Sequence, residues 1–409
     1  MLGYARASLV GLLAVMGCNG AAVRGDGAIA TDSAGPDAGV DAAAVDAANV
    51  DDAPTAADAM GDEGGTSPVP WRTTSLDFGT PPCGSAVALA HGVGGERALH
   101  VAFTRPLAQG GPSGALSYAN NAGGSWTVTE INANYTAPVS LLVDRSGTPH
   151  LLFGYDVTYP PVRYATQSGG AWQTTVVTGG GPPGYSATFV LEGAQVPHIA
   201  RVADQAGESG VVHEVLSGDG VWTREVIASS GPNRFSPVAI QISSDGALHL
   251  AWSQRTRIVY ATKSSSGWQM EPASPDVSGA SLTVVGLRVS DRVQLVYYDS
   301  DDAMPALLYA IRDGSQWREE HIPLPGVQAQ YGFPPAMELA PSGELHLAVH
   351  SRADQAILHV WGNAGDWSSE IVSRATDLRS LAMSIDGRGG LHILSCDSEG
   401  LHYTTNTQD

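Results

Sequence analysis

Basic residues are scarce in this chain. It contains 21 lysines and arginines against 41 aspartates and glutamates, so its formal net charge is −20 at pH 7. A protein of this charge repels a phosphate backbone, which argues against nucleic acid as a partner. Phenylalanine (6) and methionine (7) are also few, whereas glycine (49) and proline (25) are abundant. This composition favours an all-β fold of short strands and tight turns over packed helices.

The apolar run near the N-terminus is too short to cross a bilayer. It extends from Leu9 to Met16, whereas a spanning helix needs about 20 residues. Arg6 precedes the run and Gly17 follows it, which is the pattern of a secretory signal. The sequence therefore predicts an exported protein.

The four residues 15–18, VMGC, resemble the lipobox of bacterial lipoproteins. The resemblance implies a signal peptide over residues 1–17 and lipidation of Cys18, so that the partner is a bacterial membrane reached through a lipid anchor. Asn19 after the cysteine favours the outer membrane, with the protein facing the periplasm or the cell surface. An ordinary cleaved signal followed by a chance cysteine is the alternative.

Large side chains are almost absent from the next segment. Residues 19–70 consist mainly of alanine, aspartate and glycine, with ten acids and one arginine, Arg24. Such a segment buries too little apolar surface to offset the entropy lost on ordering. We expect a disordered linker over residues 18–69 that holds the folded part away from the membrane.

One sequence template recurs from Trp71 onward: a strand, a Gly turn, His, a second strand, a variable loop, a third strand with Tyr, another Gly turn, and Trp opening a fourth strand. Its tryptophans are Trp71, Trp126, Trp172, Trp222, Trp268, Trp317 and Trp367. Its histidines are His100, His150, His198, His249, His346 and His392, with Gln294 in the remaining position. Eight residues before a Trp come Tyr118, Tyr164, Tyr260 and Tyr309, with Glu214 and His359 in the other two copies. A repeat of about 45–55 residues is the length of one four-stranded propeller blade.

The number of copies predicts a seven-bladed β-propeller over residues 70–409. Six copies are complete, and the seventh, which begins at Leu378, stops after its third strand. The segment PWRTTSLD at residues 70–77 is a Trp strand with nothing before it. We expect this N-terminal strand to close the last blade, because closure hides sheet edges that would otherwise be exposed. Six blades with frayed ends is the alternative.

Two of the three cysteines are predicted to form a disulfide across this closure. Cys83 follows the closing strand, and Cys396 ends the second strand of the last blade. An exported protein meets an oxidising environment, where such a bond persists. Two buried free thiols would be the alternative.

The repeated Trp, His and Tyr are expected to be structural, since a single site needs no seven copies. We expect each Trp to pack between blades and each His to bind a turn carbonyl. The turns SGDGVW, RDGSQW and NAGDW resemble degenerate Asp-boxes of the BNR, or sialidase-like, repeat family. The resemblance covers residues 71–409 and implies a propeller, whose relatives include sialidases, polysaccharide lyases and non-catalytic lectin-like proteins. No Phe-Arg-Ile-Pro arginine motif is found, which counts against a sialidase.

A ligand site is expected on the face that carries the variable loops. Aromatic residues beside Gly or Pro and acids in the loops would suit a sugar, whose CH groups stack on rings and whose hydroxyls donate to carboxylates. The predicted binding residues are Tyr135, Tyr155, Asp156, Tyr185, Asp204, Phe235, Asp299, Tyr331 and Asp354. The alternative is that the aromatics cover the blades and the acids cap turns. No cofactor is expected, although Asp299, Asp301 and Asp302 could hold Ca²⁺ through their oxygens.

Catalysis is the weaker hypothesis. His350, Arg352 and Tyr297 could abstract a proton beside a uronate carboxylate, as in a polysaccharide lyase. The sequence shows neither a serine nucleophile motif nor a metal-binding His pair. We therefore expect an envelope-anchored binding module for carbohydrate or another extracellular ligand, such as a protein. The alternatives are a polysaccharide lyase or sialidase-like glycosidase on the same fold, and a scaffold in an envelope complex.

Overall fold

The computed structural model describes residues 70–78, 86–92, 98–106, 114–135, 139–154, 162–177, 187–193, 195–205, 208–229, 237–254, 256–275, 282–299, 306–324 and 335–407. Within these ranges, 28 strands form seven four-stranded antiparallel sheets. The predicted signal peptide and linker, residues 1–69, lie outside the described residues and stay predictions.

Six of the sheets are continuous in sequence. Each begins with its innermost strand, and each is numbered here as a blade. Blade 1 is β2 (Val87–His91), β3 (Leu99–Pro106), β4 (Gly114–Asn120) and β5 (Thr127–Tyr135). Blade 2 is β6 (Val139–Val143), β7 (Pro149–Phe153), β8 (Arg163–Ser168) and β9 (Ala171–Val176). Blade 3 is β10 (Thr188–Glu192), β11 (Val196–Gln205), β12 (Glu208–Leu216) and β13 (Trp222–Ala228).

The next three blades repeat this order. Blade 4 is β14 (Val238–Ile242), β15 (Leu248–Gln254), β16 (Arg257–Ser264) and β17 (Gly267–Pro272). Blade 5 is β18 (Leu282–Val289), β19 (Val293–Asp299), β20 (Ala306–Asp313) and β21 (Gln316–His321). Blade 6 is β22 (Ala336–Leu339), β23 (Leu345–Ser351), β24 (Ala356–Asn363) and β25 (Asp366–Arg374).

Blade 7 joins the two ends of the described chain, as the sequence predicts. It contains β26 (Ser380–Ile385), β27 (Leu391–Cys396), β28 (Leu401–Thr405) and, as its outermost strand, β1 (Arg72–Leu76). β1 runs antiparallel to β28, with Thr74 opposite Tyr403 and Ser75 opposite His402. The innermost strands contact one another in turn around the molecule, and β26 contacts β2. The seven-bladed ring is therefore confirmed.

The hydrophobic core is divided into seven clusters, one at each junction between neighbouring blades. The period-two alternation sends successive side chains of a strand to opposite neighbours. In β19, for example, Leu295 packs toward blade 4 and Val296 toward blade 6. Each blade thus supplies half of two cores, and the stability of the ring depends on every junction.

The repeated Trp occupies these junctions, as predicted. It packs edge-on against the aromatic residue of the third strand in the preceding blade, with ring centroids 5.0–5.8 Å apart. This geometry favours contact between the positive edge of one ring and the negative face of another. The pairs are Trp172–Tyr118, Trp222–Tyr164, Trp268–His213, Trp317–Tyr260, Trp367–Tyr309 and Trp71–His359.

The predicted bond from the repeated His to a turn carbonyl is wrong. The His Nδ1 instead meets the tyrosine hydroxyl of the neighbouring strand, at 2.6 Å in His100–Tyr118 and 2.5 Å in His249–Tyr260. In His150 the other nitrogen, Nε2, lies 3.3 Å from the Asp144 carboxylate, so that Nε2 donates and Nδ1 accepts. The buried phenol needs a partner, and the imidazole on the adjacent strand supplies it.

The residue assigned to the Tyr position of blade 3 is also corrected. His213, not Glu214, lies opposite Ala200 on the second strand and bonds His198 at 2.9 Å. Leu216 pairs with Trp222, six residues later, whereas the corresponding pairs of blades 2, 4, 5 and 6 are five residues apart. The turn before Trp222 is therefore one residue longer. The extra residue moves the position by one and turns Glu214 to the other face of the sheet.

Candidate functional site

The loop face of the propeller is formed by connections between second and third strands and between successive blades. Many of the predicted binding residues lie in these connections, outside the described residues: Tyr155, Asp156, Tyr185, Phe235 and Tyr331, together with the calcium candidates Asp301 and Asp302. Tyr135 and Asp204 lie near the ends of β5 and β11, next to this face. These assignments remain predictions.

Asp354 closes its own turn. Its carboxylate accepts a hydrogen bond from the Ser351 hydroxyl at 2.8 Å, and its backbone N–H donates to the oxygen of that hydroxyl at 3.2 Å. Arg374 donates to the Asp354 carbonyl at 2.8 Å. The neighbouring blade has the same device, because the Asp397 carboxylate accepts from the N–H groups of Glu399 and Gly400. The geometry of Asp354 is that of a turn cap, which is the alternative that the sequence left open.

The three catalytic candidates are held at different places. Tyr297 is buried in the core between blades 4 and 5, and its hydroxyl donates to the Glu319 carboxylate. Burial, followed by this bond to Glu319, raises the pKa of Tyr297. His350 bonds the carbonyl of Ala375, at 3.0 Å, on the side of blade 6 that faces blade 7. Arg352 is exposed in the turn after β23. The described contacts do not bring Tyr297 to His350, and the lyase hypothesis gains no support from them.

Asp299 ends β19 and is half-buried, opposite Leu282 and Ala306. Among the residues that the structure describes, no group of three or more His, Cys, Asp or Glu side chains is arranged to hold a metal ion. Cys396 is buried and disulfide-bonded. Cys83 lies outside the described residues, as does the predicted lipidation site Cys18, so the pairing of Cys83 with Cys396 stays a prediction.

An open groove of about 420 Å³ lies between blades 3 and 4, on the loop face. The end of β13 and the following residue form one wall, and the opposite wall comes from β16, β17 and the connection between β15 and β16. Its lining is Ile227, Ala228, Ser229, Gln254, Arg257, Val259, Met270, Glu271 and Pro272. Sequence reasoning missed this groove, because its two walls come from different blades.

The groove combines an apolar floor with a polar rim. Ile227 and Val259 belong to the core cluster beneath it, whereas the Met270 side chain is 53% exposed. Gln254, Arg257 and Ser229 contribute an amide, a guanidinium and a hydroxyl. The Glu271 carboxylate is turned to blade 5, where it accepts from Arg312 at 2.6 Å and from Trp317 at 2.9 Å. Arg257 is the one basic residue of this lining.

A salt bridge crosses the same junction, between blades 3 and 4. Lys263 of blade 4 donates to the Glu225 carboxylate of blade 3 at 2.7 Å and lies over the Trp268 ring. Burial opposes ionisation of Glu225, but the hydrogen bond from Lys263, the nearby Trp268 N–H and the positive charge of Lys263 together lower the pKa of that carboxyl. The pair thus links β13 and β16, two of the strands that contribute to the groove.

A cluster of charges lies on the other side of blade 3, facing blade 2. Arg201 and Glu214 form a bidentate pair with N–O distances of 2.8 and 3.0 Å. Their side chains are 2% and 0% exposed. Arg224 lies beside them, with its Nε 3.9 Å from Glu214. Glu214 had been assigned to the repeat, and only the shifted register reveals its role.

In the described part of the chain, no helix has the length and apolar character that would be needed to span a membrane.

Comparison with known proteins gives the fold and no family. No protein-family model matches this sequence. No curated protein matches it either. Among solved structures, a polysaccharide lyase superposes with a TM-score of 0.51 at 10% identity, over 89% of this chain and 96% of the other. The Aleuria aurantia lectin, in complex with α-methyl-L-fucoside, gives 0.47 at 16% identity, over 71% and 95%. A sialidase from Streptococcus pneumoniae gives 0.40 at 12% identity, over 80% and 69%. At these identities the likeness extends to the β-propeller fold alone.

Proposed function

We propose that this protein is a binding module that holds a sugar ring of an extracellular glycan in the groove between blades 3 and 4. The observation that carries the proposal is the lining of that groove, in which the buried Ile227 and Val259 and the exposed Met270 lie beside the polar side chains of Gln254, Arg257 and Ser229. Small-molecule sites commonly combine an apolar lining with a few polar groups that fix orientation.

A pyranose ring fits this pattern chemically. One face of the ring presents CH groups, which lose little when they leave water for an apolar floor. Its hydroxyls lie around the edge, where a side-chain amide can donate to them or accept from them and a guanidinium can donate to them. The volume of about 420 Å³ lies within the usual range of ligand sites, roughly 300–1,000 Å³.

The carboxylates favour binding over hydrolysis. Glycosidases generally use two carboxyl groups about 5–10 Å apart on either side of the scissile bond. Among the described residues that line the groove, Glu271 is the one acid, and Arg312 and Trp317 occupy its carboxylate. A ligand in this groove would be held and released unchanged.

A glycan array tests the proposal, with the purified protein and two matched variants. Met270→Glu places a negative charge on an apolar part of the groove lining. Ile371→Glu makes the same change on the outer strand of blade 6, at a side chain of similar exposure (49% against 53%). We expect Met270→Glu to weaken binding by about tenfold or more, and Ile371→Glu to bind as the unmodified protein does. Equal binding by both variants, or an array with no bound glycan, would contradict the proposal.

The same samples distinguish a binding module from an enzyme. If glycans incubated with the protein gain new reducing ends or unsaturated ends, the protein turns them over, and the carbohydrate-active alternative replaces the binding module. We expect no gain in either signal over a panel of neutral and acidic polysaccharides.

We propose further that the chain is a BNR-like propeller lipoprotein, exported and anchored through lipid on Cys18, with the outer membrane as its destination. The VMGC motif and the short apolar run before it support this location. Membrane fractions from cells that express the full chain should contain the protein, and Cys18→Ser should move it to the soluble fraction. A soluble protein without the substitution would contradict the anchor.

A further inference from the structure

The cluster of Arg201, Glu214 and Arg224 at the junction between blades 2 and 3 holds more positive than negative charge. Arg201, Glu214 and Arg224 lie on the same face of blade 3, which packs against blade 2. Ile199 and Trp222, which neighbour them at alternate positions of the same strands, both belong to the core cluster shared with that blade. Two guanidinium groups thus share one carboxylate. This cluster therefore has one positive charge in excess of its single carboxylate. Asp144, the other buried carboxylate of the described residues on this side of blade 2, is engaged by Ser146, Thr148 and His150.

The two arginines are bound differently. Arg201 contacts both carboxylate oxygens of Glu214, whereas Arg224 approaches one of them at 3.9 Å, beyond hydrogen-bond distance. The Nε and Nη2 atoms of Arg224 are shielded from solvent and have no hydrogen-bond partner among the described residues. A guanidinium with unused donors in a shielded place carries a desolvation cost that an acceptor would remove.

Arg224 lies between the buried pair and the solvent. Its side chain is 23% exposed, in contrast to the almost completely buried Arg201 and Glu214. It belongs to the outermost strand of blade 3, β13, so a ligand can reach it from the side of the propeller. Among the described residues none accepts a hydrogen bond from Nε or Nη2 of its guanidinium, so these donors can serve an incoming acceptor once the side chain turns toward it. Burial and the nearby Arg201 also lower the pKa of Arg224, which an added negative charge would reverse.

We propose that Arg224 forms an anion-binding site at the junction between blades 2 and 3, which takes a carboxylate or sulfate group carried by a polysaccharide. A planar guanidinium binds both kinds of oxyanion through two parallel N–H···O bonds. The site is separate from the groove between blades 3 and 4, and it does not depend on the function proposed for that groove.

The charge of the whole protein makes the site specific. With a net charge of −20, the protein repels polyanions in general. An acidic polysaccharide therefore binds only where local positive charge exceeds the background, and the Arg224 cluster provides such a place.

Binding of three polymers tests this proposal: polygalacturonate for the carboxylate, dextran sulfate for the sulfate, and neutral dextran as the uncharged reference. We expect the protein to bind one or both polyanions and to ignore dextran at equal concentration. Arg224→Gln should weaken that binding by about tenfold or more. Arg224→Lys keeps the charge but loses the planar fork, and should retain part of the affinity.

Arg318→Gln is the matched control. It removes one positive charge from the outer strand of blade 5, where Arg318 is 71% exposed and pairs with Asp313. This variant should bind the polyanions as the unmodified protein does. Met270→Glu should also bind them normally, which separates this site from the groove. Binding of polygalacturonate alone assigns a carboxylate ligand, and binding of dextran sulfate alone assigns a sulfate.

Three results would overturn the proposal: no binding of either polyanion, equal binding of neutral dextran, or an Arg224→Gln variant that binds as tightly as Arg318→Gln. The melting temperature of each variant shows that it is folded. Arg224 donates no hydrogen bond to a described partner, so its replacement should leave that temperature unchanged. If Arg224→Gln does melt at a lower temperature, the polyanion affinity of Arg224→Lys is compared with that of the unmodified protein. The proposal expects the affinity of Arg224→Lys to be lower, and equal affinities would overturn it.

Discussion

Glu214→Gln should destabilise the protein severely. The substitution keeps the size of the side chain but removes the negative charge that Arg201 contacts with two N–H groups, at 2.8 and 3.0 Å. Two guanidinium groups would then face a neutral amide in a junction where Arg201 is 2% exposed. Removal of one partner from a buried ion pair costs about 3–5 kcal/mol, because the other charge stays buried.

The loss can be read from thermal unfolding. In a chain of this size each kcal/mol lowers the melting temperature by about 2 °C, so we expect a decrease of about 6–10 °C. The double variant Arg201→Met, Glu214→Leu should recover most of this loss, because replacement of a whole buried pair by apolar side chains is often neutral or stabilising. Arg224 is partly exposed and can turn to water in that variant.

Two outcomes would refute this reasoning. If Glu214→Gln melts within about 2 °C of the unmodified protein, the charge of Glu214 contributes little to the junction. If the double variant is less stable than the single one, the Arg201–Glu214 pair stabilises the junction by more than the mutual neutralisation of its two charges. Arg318→Gln, at an exposed ion pair, serves as the reference for a harmless loss of charge.

Four further predictions follow from the same contacts. Glu338→Gln should cost a similar 3–5 kcal/mol by thermal unfolding, because Glu338 pairs with Arg288 at 2.8 Å and both are buried; a harmless change would contradict this. Burial lowers the pKa of His100, His249 and His346 to about 4, so the folded protein resists protonation that the unfolded chain accepts below pH 6.5. The free energy of unfolding should therefore be highest above pH 6.5 and fall as the pH decreases toward 4. His249→Gln should reduce the decrease in this free energy between pH 7 and pH 5 by up to about 2 kcal/mol. Gln294 occupies the same position in blade 5, where its amide oxygen accepts from Tyr309, so the variant should fold; an unchanged pH profile would contradict the prediction. Trp71→Ala should cost about 2 kcal/mol, less than the 3–5 kcal/mol of a fully buried Trp, since Trp71 is half-buried against His359. Mass spectrometry of unreduced peptides should join Cys396 to Cys83, and another partner would show that the predicted pairing is wrong.

The fold could be predicted because its physics is local and repeated. Each blade encodes the same His, Tyr and Trp positions, and the unmatched Trp strand at residues 70–77 could be assigned by counting. The assignment failed where one extra residue before Trp222 shifted the register, since a slip of one residue reverses which side chains face a given blade. The His contact was predicted wrongly because its partner, a tyrosine hydroxyl, lies on another strand.

The candidate sites were harder to predict. Ile227 and Met270 meet in one groove although they belong to different blades, and neither is part of a motif. The Arg201–Glu214 pair also lacks a motif, because its geometry depends on the shifted register of blade 3. Five of the nine binding residues that the sequence did favour lie outside the described residues, whereas Asp354 caps a turn.

The closure of the ring by β1 is the central claim of this account, because it fixes the number of blades. Hydrogen exchange of the full chain, followed on the peptide that spans Leu401–Thr405, tests it most directly. β28 lies between β27 and β1, so its N–H groups donate alternately to one neighbouring strand and to the other. The account predicts slow exchange throughout this peptide. Rapid exchange of alternate amides would show that nothing pairs with the outer edge of β28, and would contradict the seven-bladed ring.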